Sequence, residues 1–331
     1  MGIDAVALHA GVRVVENQAA FGVSAHYRRP TARQARTPEK ESAVGVQRQE
    51  RWTRSGVRLR LAASGAERWN WLFVPGGPGL GSQSLESLVE VVRVPGSAWL
   101  VDLPGDGSNR DLPNVSDPYA HWPDVLVEAA QALDDVVMVG HSTGGMFMLS
   151  VPELEEQLAG LALIGSAPHA GWRTAFAQYT QDHPIPAVDT AAARYAERPD
   201  DRNLRALTLA ATPWNFGEQA VPRGRALLEG AAYNHDAVAW ADAHFDDIYR
   251  ARWAPRTVPT LIVGGAQDHV VTQHLWQEEP AFTRPNILHR RIEGAAHFPW
   301  IDNPQAVHAA FTDLTHRLND PTGVEIAHRK Q

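Results

Sequence analysis

Five short apolar segments constrain the fold of this chain more than any other feature of its sequence. They lie at residues 69–74, 98–101, 136–139, 161–164 and 260–263. Apolar runs this short and continuous are typical of strands that are buried on both faces of a parallel sheet covered by helices. Segments of helical character separate the first four of them, at residues 85–92, 123–133 and 145–150. This alternation predicts an α/β protein with a mostly parallel, doubly wound sheet.

The pattern changes along the chain, and each change marks a predicted boundary. Residues 1–45 contain a polar, basic run, which we interpret as part of a poorly ordered extension. Alternating apolar residues at 47–62 predict an antiparallel hairpin at one edge of the sheet. Between about residues 168 and 255 the strands give way to helical sequence rich in alanine and aromatic residues. We therefore predict a core of residues 46–167 and 256–331, into which residues 168–255 are inserted as a helical cap.

The composition excludes several kinds of site and partner. The 331 residues include no cysteine, which excludes disulfides, thiolate metal ligands and a cysteine nucleophile. The formal net charge of −8 gives no general attraction to phosphate backbones, so we expect no nucleic-acid partner. No segment approaches the roughly 20 apolar residues of a membrane span. The acidic start of the chain is unlike a secretory signal, so we expect a cytoplasmic protein without a membrane partner.

One glycine-rich loop contains a candidate nucleophile. The segment Gly140-His141-Ser142-Thr143-Gly144 matches the pattern G-x-S-x-G, and it follows an apolar strand and opens a helix-compatible segment. Gly140 and Gly144 allow a sharp turn that lifts the Ser142 hydroxyl above the sheet. The alternative is an ordinary turn between strand and helix, in which the serine caps the helix. In this context we interpret Ser142 as the nucleophile.

A serine hydroxyl needs a neighbouring base to become nucleophilic near neutral pH, and His297 is the candidate. It lies on a loop after the predicted strand at 287–292 and before a C-terminal helix that begins near Pro304. The chain has fifteen histidines, so the residue type alone selects nothing. The position of His297 on this loop selects it.

Asp268 is the candidate acid that orients the base. It follows the strand at 260–263, at the sheet edge where open α/β sheets place their sites. A carboxylate there accepts the imidazole N–H and stabilises the imidazolium that forms during reaction. The alternative is a turn aspartate that caps the following helix.

The loop at residues 75–79 provides candidate donors for an oxyanion hole. It reads Pro-Gly-Gly-Pro-Gly and follows the strand at 69–74. We assign the two backbone N–H donors to Gly77 and to Thr143, the residue after the nucleophile. Gly76 supports the loop, because a glycine lets the backbone approach the substrate closely. Taken alone, this segment would be a plain tight turn.

Over roughly residues 50–318 the sequence resembles the α/β-hydrolase superfamily. In that superfamily the nucleophile comes first in the chain, then the acid, then the base, and Ser142, Asp268 and His297 follow this order. The resemblance implies a core sheet of about eight strands, a helical cap, and neither a cofactor nor a metal. The loop at 75–79 is similar to the His-Gly-Gly-Pro-Gly loop of the proline iminopeptidase group. However, Pro75 replaces its histidine, and Thr143 replaces the tryptophan that usually stands beside its serine.

Other segments resemble different members of the same superfamily. Gly-His-Ser-x-Gly-Gly and His-Phe-Pro-Trp are more similar to esterases and to carbon–carbon bond hydrolases. We hypothesise that the chain cleaves a small-molecule substrate, a carboxylic ester, through an acyl-enzyme on Ser142. The predicted cap is rich in aromatic side chains, and we expect two or three in ten of them to face the nucleophile, which favours an apolar or aromatic acyl group. These are Trp172, Phe176, Tyr179, Tyr195, Trp214, Phe216, Trp240, Phe245, Tyr249 and Trp253.

Two other functions remain open at this stage. An aminopeptidase with the same three catalytic residues would need a carboxylate to hold the substrate ammonium. The predicted cap offers Glu197, Glu218, Glu229, Asp242, Asp246 and Asp247, each of which we expect to be solvated at the surface. A ligand-binding or signalling protein on the same fold is the third hypothesis, because a fold does not determine a function.

Overall fold

The computed structural model describes residues 49–110 and 117–320, so the extension predicted at residues 1–45 lies outside the described part of the chain. Its centre is a sheet of eight strands: β1 (Glu50–Trp52), β2 (Arg58–Ala63), β3 (Asn70–Val74), β4 (Ser97–Asp102), β5 (Val136–His141), β6 (Gly160–Ile164), β7 (Thr260–Gly265) and β8 (Ile287–Ile292). Their order across the sheet is β1-β2-β4-β3-β5-β6-β7-β8. The first two strands are antiparallel to their neighbours, and β3 to β8 are parallel. The predicted fold class is confirmed.

Eleven α-helices accompany the strands in the described residues: α1 (Glu86–Val92), α2 (Trp122–Gln131), α3 (Thr143–Leu149), α4 (Gly171–Asp182), α5 (Pro186–Glu197), α6 (Asp201–Ala210), α7 (Thr212–Asn215), α8 (Val221–Glu229), α9 (His235–His244), α10 (Pro299–Asp302) and α11 (Pro304–Asn319). Helices α4 to α9 lie between β6 and β7, in the segment for which the sequence predicts a cap. We call residues 168–255 the helical insertion. Within the described ranges, no helix has the length and apolar character needed to cross a membrane.

The sheet is covered by helices on both faces, as the apolar runs predict. In β3, Trp71 and Phe73 point into the apolar core that also contains Phe311 of α11. Leu72 belongs to the opposite core, which also contains side chains of α2 and α3. Neighbouring residues of one strand therefore enter different cores, and this explains why a continuous apolar run is needed instead of an alternating one.

The carboxyl ends of four parallel strands bring the predicted site residues to one edge of the sheet. Strand β5 ends immediately before Ser142, and β3 ends immediately before the loop 75–79. Strand β7 ends shortly before Asp268, and β8 ends shortly before His297. Residues far apart in the sequence become neighbours because parallel strands all finish at the same edge.

Candidate active site

Ser142 lies on a tight turn between β5 and α3. Its φ of 52° and ψ of −126° are strained values for a residue with a side chain. A Cβ atom at Gly140 would collide with Met148, and a Cβ atom at Gly144 would collide with the carbonyl group of Pro75. Both glycines are therefore required by close approach of other parts of the chain.

Ser142, His297 and Asp268 form one chain of hydrogen bonds. His297 Nε2 lies 3.1 Å from Ser142 Oγ, and His297 Nδ1 lies 3.0 Å from Asp268 Oδ2. The other oxygen of Asp268 accepts the backbone N–H groups of Val270 and Val271, at 3.1 and 2.9 Å. All three side chains are buried. A carboxylate that accepts the Nδ1–H leaves the Nε2 lone pair directed at the serine hydroxyl.

The loop 75–79 lies directly against the serine. A Cβ atom at Gly76 would be 2.7 Å from the Cβ atom of Ser142, so only glycine fits there. Gly77 has a φ of 114°, in the region that favours glycine. The hydroxyl of Thr143 donates to the carbonyl oxygen of Gly77 at 2.9 Å. This bond joins the two residues that the sequence predicts as the oxyanion donors.

His141 is a buried neighbour of the site for which no role was predicted from the sequence. Its Nε2 atom lies 3.1 Å from the carbonyl oxygen of His297. Burial, and then the nearby His297, hold the pKa of His141 well below its ordinary value. A neutral His141 that donates to this carbonyl fixes the backbone of the proposed base. The sequence signal that could have identified His141 was its position at the end of the buried strand β5, immediately before Ser142.

A second residue without a predicted role, Asp106, holds the loop 75–79. Asp106 Oδ2 accepts the Gly79 N–H at 3.1 Å, and Oδ1 accepts the Gly107 N–H at 2.8 Å. Asn234, in the helical insertion, donates its side-chain amide to Asp106 Oδ1 at 3.3 Å and its backbone N–H to the Gly79 carbonyl at 2.9 Å. Burial raises the pKa of Asp106 to about 6. No local pattern could reveal this link, because Asn234 is distant from the loop in the sequence.

A cavity over Ser142 lies between the loop 75–79 and the helical insertion, and its volume is about 120 Å³. The insertion contributes mainly aliphatic side chains to it: Leu204, Leu207, Ala211, Leu228 and Val238. Within the described ranges, neither this cavity nor any other place has a group of three or more side chains that could hold a metal ion.

None of the ten aromatic side chains expected in the cap lines this cavity. The expectation that two or three of them face the nucleophile is wrong. Trp172, Phe176 and Trp214, for example, pack into the apolar core of the insertion. The aromatic residues that do line the cavity are Tyr233 and Phe298. An aromatic residue in a helix predicts a buried face, but it does not reveal what that face packs against.

The six carboxylates that could hold a substrate ammonium differ in burial. Glu197, Glu218, Glu229 and Asp247 are exposed, as expected. Asp242 is half-buried, with a side chain that is only 12% exposed, and so departs from that expectation. Asp246 is only 4% exposed and lines the cavity, so the expectation of a solvated surface residue is wrong for it. Its contact with the buried Arg173 is the physical reason, because an ion pair lowers the free energy needed to bury a carboxylate.

Comparison with known proteins agrees with this architecture. Residues 61–310 match the family model described as the alpha/beta hydrolase family. A pimeloyl-[acyl-carrier protein] methyl ester esterase of Xanthomonas oryzae pv. oryzae (strain MAFF 311018) is 29% identical over 231 residues, which are 64% of this chain and 81% of that protein.

Two solved structures have the same fold. An alpha/beta fold family hydrolase from Bacillus anthracis str. Sterne superposes with a TM-score of 0.64 at 16% identity, over 81% of this chain and 99% of that one. A proline iminopeptidase-related protein from Thermus thermophilus superposes with a TM-score of 0.59 at 20% identity, over 83% and 100% of the two chains. The family match, which spans most of the sheet and the whole insertion, shows that this chain belongs to the alpha/beta hydrolase family.

Proposed function

We propose that this protein hydrolyses a small apolar carboxylic ester through an acyl-enzyme on Ser142. The observation that carries the proposal is the continuous hydrogen-bonded chain from Asp268 through His297 to the Ser142 hydroxyl, next to a mainly aliphatic cavity. These residues would form a catalytic triad, in which the acid orients the base and the base activates the nucleophile. The relative from Xanthomonas oryzae is named as a methyl ester esterase, which supports an ester as the substrate class.

The first half of the reaction forms the acyl-enzyme. His297 Nε2 takes the proton from Ser142 Oγ as this oxygen attacks the ester carbonyl carbon. The carbonyl oxygen becomes an oxyanion, for which the backbone N–H groups of Gly77 and Thr143 are the proposed donors. The tetrahedral intermediate then collapses, and His297 gives its proton to the departing alcohol oxygen. Asp268 stabilises the imidazolium between these two proton transfers.

The second half releases the acid. Water enters where the alcohol left, loses a proton to His297, and attacks the acyl carbon. The same two backbone N–H groups stabilise the second oxyanion. Collapse of this intermediate breaks the bond to Ser142 Oγ, which recovers its proton from His297. No cofactor takes part in this proposal.

The cavity walls favour an aliphatic acyl group over a large aromatic one. Five of the nine insertion residues that line the cavity are leucine, valine or alanine. An apolar group in such a space gains about 25 cal/mol for each Å² of its surface removed from water. We therefore expect a preference for short or medium alkyl chains, set by the space under the insertion.

A paired assay tests the proposal. One arm offers p-nitrophenyl esters of increasing alkyl length, and the other offers prolyl and alanyl p-nitroanilides. We expect turnover of esters only, with a reduction by several orders of magnitude in Ser142→Ala. Ser150→Ala is the matched control, since Ser150 follows α3 and donates its hydroxyl to Met146 without lining the cavity.

The other outcomes point to the other hypotheses. Turnover of anilides in place of esters would replace the ester proposal with an aminopeptidase. Turnover of neither set would argue against the proposal and favour a ligand-binding role. Ester turnover that survives in Ser142→Ala would contradict the assignment of the nucleophile.

A further inference from the structure

The cavity contains a charged group for which ester hydrolysis has no use. Among the described residues that line it, Asp246 is the single carboxylate. It follows α9, and its backbone N–H donates to the carbonyl oxygen of Ala241 at 2.9 Å, which fixes its position. A mainly aliphatic pocket with one carboxylate differs from a purely lipophilic one, because the carboxylate can select among ligands of the same shape.

The charge of Asp246 is only partly compensated by Arg173. Arg173 of α4 faces three carboxylates, with nitrogen–oxygen distances of 3.8 Å to Asp242, 3.6 Å to Asp246 and 2.9 Å to Asp247. The distance to Asp246 is longer than a hydrogen bond. One guanidinium group therefore serves three carboxylates, and the closest of them, Asp247, is also the one most exposed to solvent.

One carboxylate oxygen of Asp246 also lacks a hydrogen bond. Its Oδ1 atom is buried and has no hydrogen-bond partner in the described part of the chain. Buried polar atoms nearly always have a partner, because leaving one unpaired is unfavourable. Oδ1 itself has almost no exposed surface, so a ligand in the cavity would compensate Asp246 by bringing a positive charge next to its carboxylate.

We propose that Asp246 binds a protonated amine of the substrate, held in the same cavity as the Ser142 hydroxyl. The substrate is then an ester that carries an alkylammonium group, with its aliphatic part against the leucine-rich wall. This inference rests on the proposed function, because it names a feature of the ester that Ser142 cleaves. Asp246 acts on specificity in this proposal and takes no part in the proton transfers.

Ligand binding to the Ser142→Ala variant tests the proposal without any turnover. Titration calorimetry compares n-alkylammonium ions with n-alkanols of matched chain length. The measurement is made near pH 8, above the pKa of about 7 to which burial raises the Asp246 carboxyl group, so that the carboxylate is charged. We expect the ammonium ions to bind more tightly than the alkanols.

Adding Asp246→Asn should remove this preference. We expect a loss of about tenfold or more in ammonium affinity and a change of no more than about twofold in alkanol affinity. Glu197→Gln is the matched control, because Glu197 is an exposed carboxylate of the same insertion that neither pairs with Arg173 nor lines the cavity. It should leave both affinities within about twofold.

Equal effects of Asp246→Asn on both ligand series would overturn the proposal, since a purely structural role in the insertion would act on both. Equal affinity of the parent chain for ammonium and alkanol would also overturn it. If Asp246→Asn does not fold, the parent chain still gives an answer. Near pH 5, where the Asp246 carboxyl group beside Arg173, Asp242 and Asp247 is protonated, the ammonium preference should be lost; a preference that persists there rejects the proposal.

The two proposals fail in different ways. Ester turnover by the wild-type chain without an ammonium preference would reject the role of Asp246 and leave the esterase proposal intact. An ammonium preference in the Ser142→Ala variant without ester turnover by the wild type would reject the esterase proposal and keep the amine site.

Discussion

Asp268 has two tasks at the scale of a single residue, and its two oxygens separate them. Oδ2 faces the imidazole of His297, whereas Oδ1 accepts the backbone N–H groups of Val270 and Val271. Asp268→Asn can keep the second task with its amide oxygen. Its amide nitrogen, however, would face the Nδ1 atom of His297 and favour the tautomer that protonates Nε2.

We therefore predict that Asp268→Asn lowers kcat by about 10⁴-fold while the protein stays folded. Steady-state kinetics with the best ester and thermal unfolding measure the two effects. A fall in kcat of less than about tenfold would remove Asp268 from the proposed triad. Loss of the folded state would instead show that its bonds to Val270 and Val271 dominate its role.

The raised pKa of Asp106 leads to a prediction, at the same scale, about how stability depends on pH. Burial raises its pKa from 3.8 to about 6, so between these pH values the folded state retains a proton that the unfolded chain has lost. Its contribution to the free energy of unfolding therefore falls as pH rises through this window. A shift of about two pKa units corresponds to a fall of roughly 3 kcal/mol. Asp106→Asn removes this contribution.

We predict that Asp106→Asn becomes more stable relative to wild type as pH rises from about 4 to 6, whatever the difference in their free energies of unfolding at pH 4. Urea unfolding at several pH values in this range measures it. Asp189→Asn, at an exposed carboxylate on α5, controls for the loss of a charge. Parallel curves for wild type and Asp106→Asn would contradict the raised pKa.

At the scale of elements, local sequence was enough to locate the strands and the residues that follow them. The apolar runs predicted β3 to β7 because each buried strand must be apolar on both faces. The residues after β5, β7 and β8 could be assigned for the same reason, since parallel strands end at one edge. The cavity wall could not be predicted, because amphipathic helices such as α6 show which face is buried without showing against what.

Contacts between elements distant in the sequence also could not be predicted. The loop 75–79 pairs with the start of α9: Gly79 bonds to Asn234, and Leu80 forms a β-bridge with Tyr233. Gly79 has a φ of 90°, and a Cβ atom there would lie 2.7 Å from Val238 Cγ2 and still closer to the carbonyl oxygen of Asn234. A glycine followed by a leucine gives no sign of such a partner.

This contact predicts different outcomes for two glycine substitutions. Gly79→Ala should lower the free energy of unfolding by about 1–3 kcal/mol, because of its positive φ and the close contacts, and should lower kcat by displacing the loop that carries Gly77. Gly230→Ala is the matched control: its φ is −86°, and the nearest atom to a new Cβ lies 3.7 Å away. It should be neutral or stabilise by about 0.4–1 kcal/mol. Denaturant unfolding and ester kinetics measure both, and equal effects of the two substitutions would contradict the argument.

At the scale of the whole molecule, the helical insertion is bonded to both sides of the site. Asn234 holds the loop that carries Gly77. On the other side, the backbone N–H of His297 donates to the carbonyl oxygen of Asn215 at 3.1 Å. Asp302 accepts the N–H of Gly217 in the insertion at 3.0 Å and the N–H of Ala296 at 2.7 Å. The insertion therefore helps to position the proposed base as well as to close the cavity.

Asp302→Ala tests this coupling, because it removes one acceptor shared by the insertion and the loop of His297. Two backbone N–H groups would lose their partner, and we predict a loss of about 1–3 kcal/mol in the free energy of unfolding together with faster amide hydrogen exchange at Gly217 and Ala296. A displaced His297 should lower kcat by about 10- to 100-fold.

Asp313→Ala is the control, since Asp313 pairs with Arg290 at the surface and its loss should change stability by less than about 1 kcal/mol. If Asp302→Ala speeds exchange at Gly217 but leaves exchange at Ala296 and kcat unchanged, the insertion covers the site without positioning the base.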